Sequence, residues 1–95
     1  MAAYLIAQHK ITDRAVFEEF RSKAIPLIES RGGRFIVRSE KVEVREGDWA
    51  PDMVVVIEFP DREKLRLALD SPEFQKLREL RRKSGSGVVL VVEGE

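Results

Sequence analysis

Met53-Val54-Val55-Val56-Ile57-Glu58-Phe59-Pro60 is the stretch on which the fold turns. Its first five residues are apolar without a break, and three of them are Val. A strand with one wet face alternates apolar and polar residues, whereas an unbroken β-branched run predicts a strand covered on both faces. Pro51-Asp52 before it and Pro60-Asp61 after it limit the run to strand length rather than helix length. The rest of the chain is therefore read for what could cover this strand.

Upstream, Tyr4-Leu5-Ile6-Ala7-Gln8-His9-Lys10 predicts a first strand, apolar at first and polar at its end. Thr12 and Asp13 are good helix N-caps, since their side-chain oxygens can accept from an orphan backbone N–H. Val16, Phe17, Phe20, Ala24, Leu27 and Ile28 then recur on one helical face. Pro26 lies inside that pattern and predicts a kink or a loosened turn. Gly32-Gly33 ends the helix, because glycine takes the left-handed C-terminal position without steric penalty. Arg34 to Glu40 predicts a second strand by alternation, with Arg34, Ile36 and Arg38 on one face and Phe35 and Val37 on the other. Val42 and Val44 extend it past a bend, and Arg45 to Pro51 form a loop holding Trp49, the one tryptophan.

Downstream, Asp61 caps a short helix that turns Leu65, Ala68 and Leu69 inward. Ser71-Pro72 restarts the chain with a cap and a first-turn proline, followed by a stripe of Phe74, Leu77 and Leu80. Gly85-Ser86-Gly87 reads as a flexible turn, and Val88 to Val92 as a last strand, again apolar on both faces. No internal repeat, low-complexity segment or linker is visible, and residues 1–95 are read as a single domain.

The order strand, helix, strand, strand, helix, strand predicts an α+β ferredoxin-like sandwich, βαββαβ, with a four-stranded antiparallel sheet and its helices on one face. Right-handed crossovers put strand three between strands one and two, and strand one between strands three and four. Two helices cover only one face of such a sheet. The other face, apolar in strands three and four, would leave several hundred Å² bare, which soluble monomers rarely do. A twofold dimer with two sheets face to face resolves this, so an obligate homodimer is expected.

Composition narrows the function classes. Lys+Arg and Asp+Glu both number 17. A general nucleic-acid or membrane-surface binder would carry a basic excess, so neither partner is expected. The absence of cysteine removes disulfides, thiolate nucleophiles and zinc-thiolate sites. With one histidine and scattered carboxylates, neither a metal nor another cofactor is expected. The N-terminus has no signal-peptide pattern and no apolar run reaches membrane-spanning length, which makes a cytoplasmic location the default.

In the expected topology, His9, Arg38 and Asp52 meet at one edge of the sheet. His9 beside a carboxylate is the candidate catalytic acid or base near neutral pH, and Arg38 with Asp52 the candidate ligand-binding pair. The bland alternative, a solvated strand-end histidine and a structural ion pair, is the commoner outcome for a triple without a motif. Arg38 suits an ion pair that sets the dimer register better than an anion anchor, because arginine is common in interface ion pairs. Trp49 is either a ligand lid or, preferably, an anchor across the dimer. Glu58 is read as paired with Arg34 or with a residue of the partner subunit rather than as a base with a raised pKa. Ser71 is read as a cap, and Arg78, Arg81, Arg82 and Lys83 as a solvated helix end that complements the helix dipole.

Four blocks also resemble one known family: Gly32 to Arg38, Glu46-Gly47-Asp48-Trp49, Val56 to Pro60, and Ser71-Pro72-Glu73-Phe74-Gln75. Together they look like domain-of-unknown-function family 1330, over nearly the whole chain from Tyr4 to Gly94. Phe74 stands where the family pattern often has Tyr, so no phenolic hydroxyl is available there. Leu69 lies near a position where relatives often carry an aromatic. The resemblance implies membership of the dimeric α/β-barrel superfamily and hence the face-to-face dimer, while implying no general activity. Small monooxygenases and isomerases occur elsewhere in that superfamily. Three functions are therefore expected to compete: a small-molecule binder with a pocket near the sheet, a cofactor-independent enzyme acting on a small organic substrate, and a structural or regulatory homodimer.

Overall fold

The structure, a computed structural model, describes residues 1–94. The chain runs β1 (Ala3–Ile11), α1 (Arg14–Ser30), β2 (Arg34–Ser39), β3 (Met53–Phe59), α2 (Arg62–Asp70), α3 (Pro72–Ser84) and β4 (Gly85–Glu93). The strands form one sheet in the order β2-β3-β1-β4, with every neighbouring pair antiparallel. This is the expected ferredoxin-like arrangement, with the doubly apolar strand β3 inside the sheet.

Local chemistry explains most element boundaries. Asp13 caps α1 by accepting from Val16 N at 3.2 Å, and Asp61 caps α2 by accepting from Lys64 N at 2.8 Å. Ser71 ends α2 and caps α3, accepting from Phe74 N at 3.2 Å, with Pro72 in the first turn. Gly32 follows the end of α1 at φ 95°, the left-handed position that glycine takes without penalty. Helix α1 continues through Pro26 without interruption.

Two boundaries and one register differ from expectation. Strand β2 stops at Ser39, and Val42 and Val44 lie in the irregular segment before β3. Strand β4 starts at Gly85, so the two glycines belong to a strand rather than a turn. Gly85 pairs with Ile11 and Gly87 with His9, and a Cβ at Gly87 would stand 2.5 Å from the Gln8 carbonyl oxygen. Glycine is needed there for close strand approach, not for flexibility. The third difference lies in β2. Phe35 faces Ile57, but Val37 faces Val56, so Ile36 is an extra residue in a β-bulge. The bulge breaks the simple alternation. Phe35 and Arg38 share the side of Ile57 and Val55, while Arg34, Val37 and Ser39 lie on the other side.

Burial identifies the two sheet faces. Ala3, Leu5, Ala7 and His9 of β1 and Met53, Val55, Ile57 and Phe59 of β3 are buried beneath the helices. They pack with Phe17, Phe20, Ala24 and Ile28 of α1, Leu65 and Ala68 of α2, and Phe74 and Leu77 of α3. The opposite face has a row of four apolar residues across all the strands: Val37, Val56, Ile6 and Leu90. Val37 and Leu90 are exposed, and Ile6 and Val56 are half-buried. The Cα envelope measures 31 × 30 × 16 Å, a two-layer slab with helices on one side of the sheet only.

Candidate functional site

A cavity of about 310 Å³ opens between the sheet and helices α1 and α3. This is at the lower end of the range typical of small-molecule sites, about 300–1,000 Å³. The sheet supplies its floor in cross-strand rows. Phe35, Ile57 and Leu5 form one row, Arg38, Val55, Ala7 and Val89 the next, and Met53 and His9 a third. Phe17, Phe20, Ala24 and Ile28 of α1 form one wall; Phe74, Arg78 and Arg81 of α3 form the other.

The two ends of the cavity differ chemically. Arg31 pairs with Glu73 at 2.6 Å, tying the end of α1 to the start of α3. At the other end, Ser84 O accepts from Thr12 N at 2.8 Å and Asp13 N at 3.0 Å, so α3 finishes beside the end of β1. Phe74 therefore lies at the Ile57 end, and Arg81, two helical turns on, lies at the His9 end. The result is a cavity with an apolar floor of Leu5 and Ile57 toward one end and with Arg81 and His9 at the other.

His9 is 7% exposed, with its ring edge-on to Phe17 at 5.2 Å and to Phe20 at 6.3 Å. It is not the solvated strand-end residue of the bland sequence reading. Strand β1 runs two residues further, to Ile11, and His9 continues the inward row of Ala3, Leu5 and Ala7. Burial, reinforced by the charge of Arg81, lowers its pKa to about 4, so the imidazole is neutral near pH 7.

Arg81 is half-buried, and its Nε has no acceptor among the described residues. Desolvation, then the charge of Arg78, lowers its pKa. A Cβ at Gly87 would stand 3.1 Å from Arg81 Nη2, and Gly87 is the strand partner of His9. The missing side chain thus makes room for the guanidinium beside the imidazole. Arg38 lies over the Phe35 ring at 5.3 Å. Two other arginines at the cavity are paired, Arg21 with Glu18 at 2.8 Å and Arg82 with Glu79 at 2.7 Å. Arg38, Arg78 and Arg81 have no carboxylate partner among the described residues.

Of the residues singled out from sequence, the fold brings His9 and Arg38 to this cavity and leaves Asp52 and Trp49 off its lining. Asp52 N donates to His9 O at 2.7 Å, so the two are backbone neighbours. Its carboxylate, however, accepts from Ile11 N at 2.7 Å on the surface and fastens the end of β1 to the start of β3. Asp52→Ala should cost about 1 kcal/mol, a fall in Tm of about 4–8 °C for a domain of this size, measurable by calorimetry. An unchanged Tm would mean that water replaces the carboxylate at no cost. Trp49 sits half-buried in the loop before β3, with its indole Nε1 buried and unpartnered among the described residues.

Glu58 is held by Arg34 at 2.6 Å and by the Tyr4 hydroxyl, which donates at 3.3 Å. The Arg34 hydrogen bond keeps its pKa below the ordinary value, the opposite of a poised base. Sequence reading missed Arg78 and Arg81 as cavity residues, assigning both to a solvated helix end. The available signal was spacing: Arg81 follows Leu77 by four residues and Phe74 by seven, and so continues the inward stripe. Among the described residues, no three His, Cys, Asp or Glu side chains cluster as metal ligands. No helix among them is long and apolar enough to cross a membrane.

The family model described as Domain of unknown function (DUF1330) matches residues 2–95. The chain belongs to that family. No curated protein matches its sequence. Among solved structures, it is similar to an ethyl tert-butyl ether d (EthD) family protein from Bacillus halodurans, at 20% identity and a TM-score of 0.70 over all of both chains. It is similar to SnoaB, a cofactor-independent oxygenase from Streptomyces nogalater, at 17% identity and a TM-score of 0.72, covering 99% of this chain and 93% of that one. A dimeric ferredoxin-like protein of unknown function from Jannaschia sp. CCS1 aligns at 10% identity and a TM-score of 0.71, covering 99% of this chain and all of that one. At these identities the likeness concerns the fold alone.

Proposed function

We propose that this DUF1330 protein is a homodimer that binds a small organic molecule in the cavity between its sheet and helices α1 and α3. The cavity is the observation behind the binding role: about 310 Å³, mostly apolar walls, and a few convergent polar groups at one end. The reading of a purely structural dimer is weaker. His9 and Arg38 lie on the helix side of the sheet, away from the face a second copy would cover.

The dimer rests on the helix-free face. Four strands spaced about 4.8 Å apart, with seven residues rising about 3.3 Å each, make a face of about 19 × 23 Å. Side chains enlarge that area toward the ~800 Å² that each partner contributes to a standard interface. The central row Val37-Val56-Ile6-Leu90 is apolar, and the paired Arg34, Glu58 and Tyr4 border it at one end. A second copy of the same face suits that pattern, with oily residues meeting at the centre and polar ones at the rim. The Jannaschia protein of the same fold is described as dimeric.

A second reading is a cofactor-independent enzyme, favoured by the presence of His9 in the cavity and by the activity of SnoaB, a protein of like fold. Chemistry weighs against it in the free protein. A base with a pKa of about 4 takes a proton poorly at neutral pH, where the best catalytic base titrates near the working pH. A thermal-shift screen of small metabolites tests both readings, because a ligand that binds only the native state raises Tm. Binding without turnover supports the binder. Turnover that disappears in His9→Ala supports the enzyme. No stabilising compound in a broad screen would count against a pocket role of either kind.

A further inference from the structure

We infer that the occupant of this cavity is a small amphipathic organic anion, its carboxylate or phosphate-ester group held by Arg81 and Arg78 beside His9 and its apolar body lying over Leu5 and Ile57. The inference rests on the small-molecule reading above and adds the chemical class of the ligand. Three observations support it. Arg78 and Arg81 line the cavity one helical turn apart on α3 without a carboxylate partner among the described residues, while Arg21 and Arg82 at the same cavity are paired. Arg81 is half-buried with its Nε unsatisfied, although burying a donor without an acceptor is costly. Gly87 leaves the space that seats Arg81 next to His9.

The physical chemistry selects an oxyanion. Guanidinium presents a planar fork of donors that matches a carboxylate or phosphate in two-point geometry. An uncharged ligand would leave the cationic end unpaired. A highly charged one would waste the apolar floor made by Leu5, Ala7, Val55 and Ile57. The neutral imidazole can donate one further hydrogen bond to the bound anion.

The test uses aromatic and branched aliphatic probes in matched sets, such as 2-naphthoate, 2-naphthamide and 2-naphthyl phosphate. Binding to the full chain is followed by thermal shift and by the NMR signal of the single imidazole. The acid or the phosphate ester should bind at least about tenfold tighter than the isosteric amide, and should move the His9 resonance. Comparison of the acid with the ester tells which oxyanion the site takes. Arg81→Gln should reduce the preference to about threefold or less, with Arg81→Lys restoring part of it; Arg78→Gln gives the same direction should Arg81→Gln not fold. Equal binding of acid and amide, with a His9 shift, overturns the anion inference and leaves the pocket reading standing. Anion binding that never moves the His9 signal places the ligand elsewhere and overturns the inference too. Failure of every probe across the series removes both.

Discussion

Leu90→Glu should convert the protein from a particle of twice 10.9 kDa to one of 10.9 kDa at micromolar concentration. Leu90 is 47% exposed in the single subunit, so a glutamate there is solvated and costs an isolated chain little. In the proposed face-to-face dimer the same carboxylate would be buried without a partner, at about 2 kcal/mol or more. Twofold symmetry introduces it twice, for a total of about 4 kcal/mol or more, which weakens association roughly a thousandfold. The control is Leu67→Glu on α2. Leu67 is also exposed, but it lies on the helix side, and its substitution should leave the mass unchanged. Sedimentation equilibrium decides the matter. A wild-type chain that runs as a single subunit at these concentrations would remove the dimer from the account.

The second large effect concerns acid. His9 has a folded pKa of about 4 against 6.5 unfolded, so the unfolded chain binds the proton more readily. Stability is therefore unaffected by His9 above about pH 6.5, falls as pH drops from 6.5 to 4, and does not fall further through this group below 4. The span corresponds to about 3 kcal/mol. The groups packed around the ring are Phe17 and Phe20 from α1 and Arg81 from α3, and none of them titrates in that window. Surface carboxylates add their own acid dependence: Glu40 and Glu58, whose arginine partners lower their pKa, and Glu73, lowered first by its own backbone N–H and then by Arg31. The informative quantity is therefore the difference between wild type and His9→Gln in urea melts at pH 7 and pH 4.5. Wild type should lose about 2 kcal/mol more than the variant. Because His9 is the only histidine, its imidazole proton resonance reports the same titration directly. A midpoint near 6.5 would show a ring in contact with bulk water and contradict the burial.

An apolar side chain announces its burial through spacing, and a cap or turn announces itself through residue type, so these features were legible in the sequence. The run from Met53 to Ile57, the caps Asp13, Asp61 and Ser71, and the element order sufficed to determine an antiparallel ferredoxin-like sheet with one face left over. The family pattern points to the same fold. The direction of a polar side chain is different, because it depends on neighbours far away in the chain. Only the folded sheet showed that the extra residue Ile36 puts Arg38 on the helix side of the sheet, since a bulge depends on the partner strand. Only the folded sheet sent the Asp52 carboxylate to Ile11 N instead of His9, because that donor is 41 residues away. The same holds for Arg81, on a helix end that looked solvated by composition. It is half-buried because α3 runs straight into β4 and Gly87 yields the space next to His9. Periodic hydrophobicity set the layers of this protein; long-range packing decided which charges face the cavity.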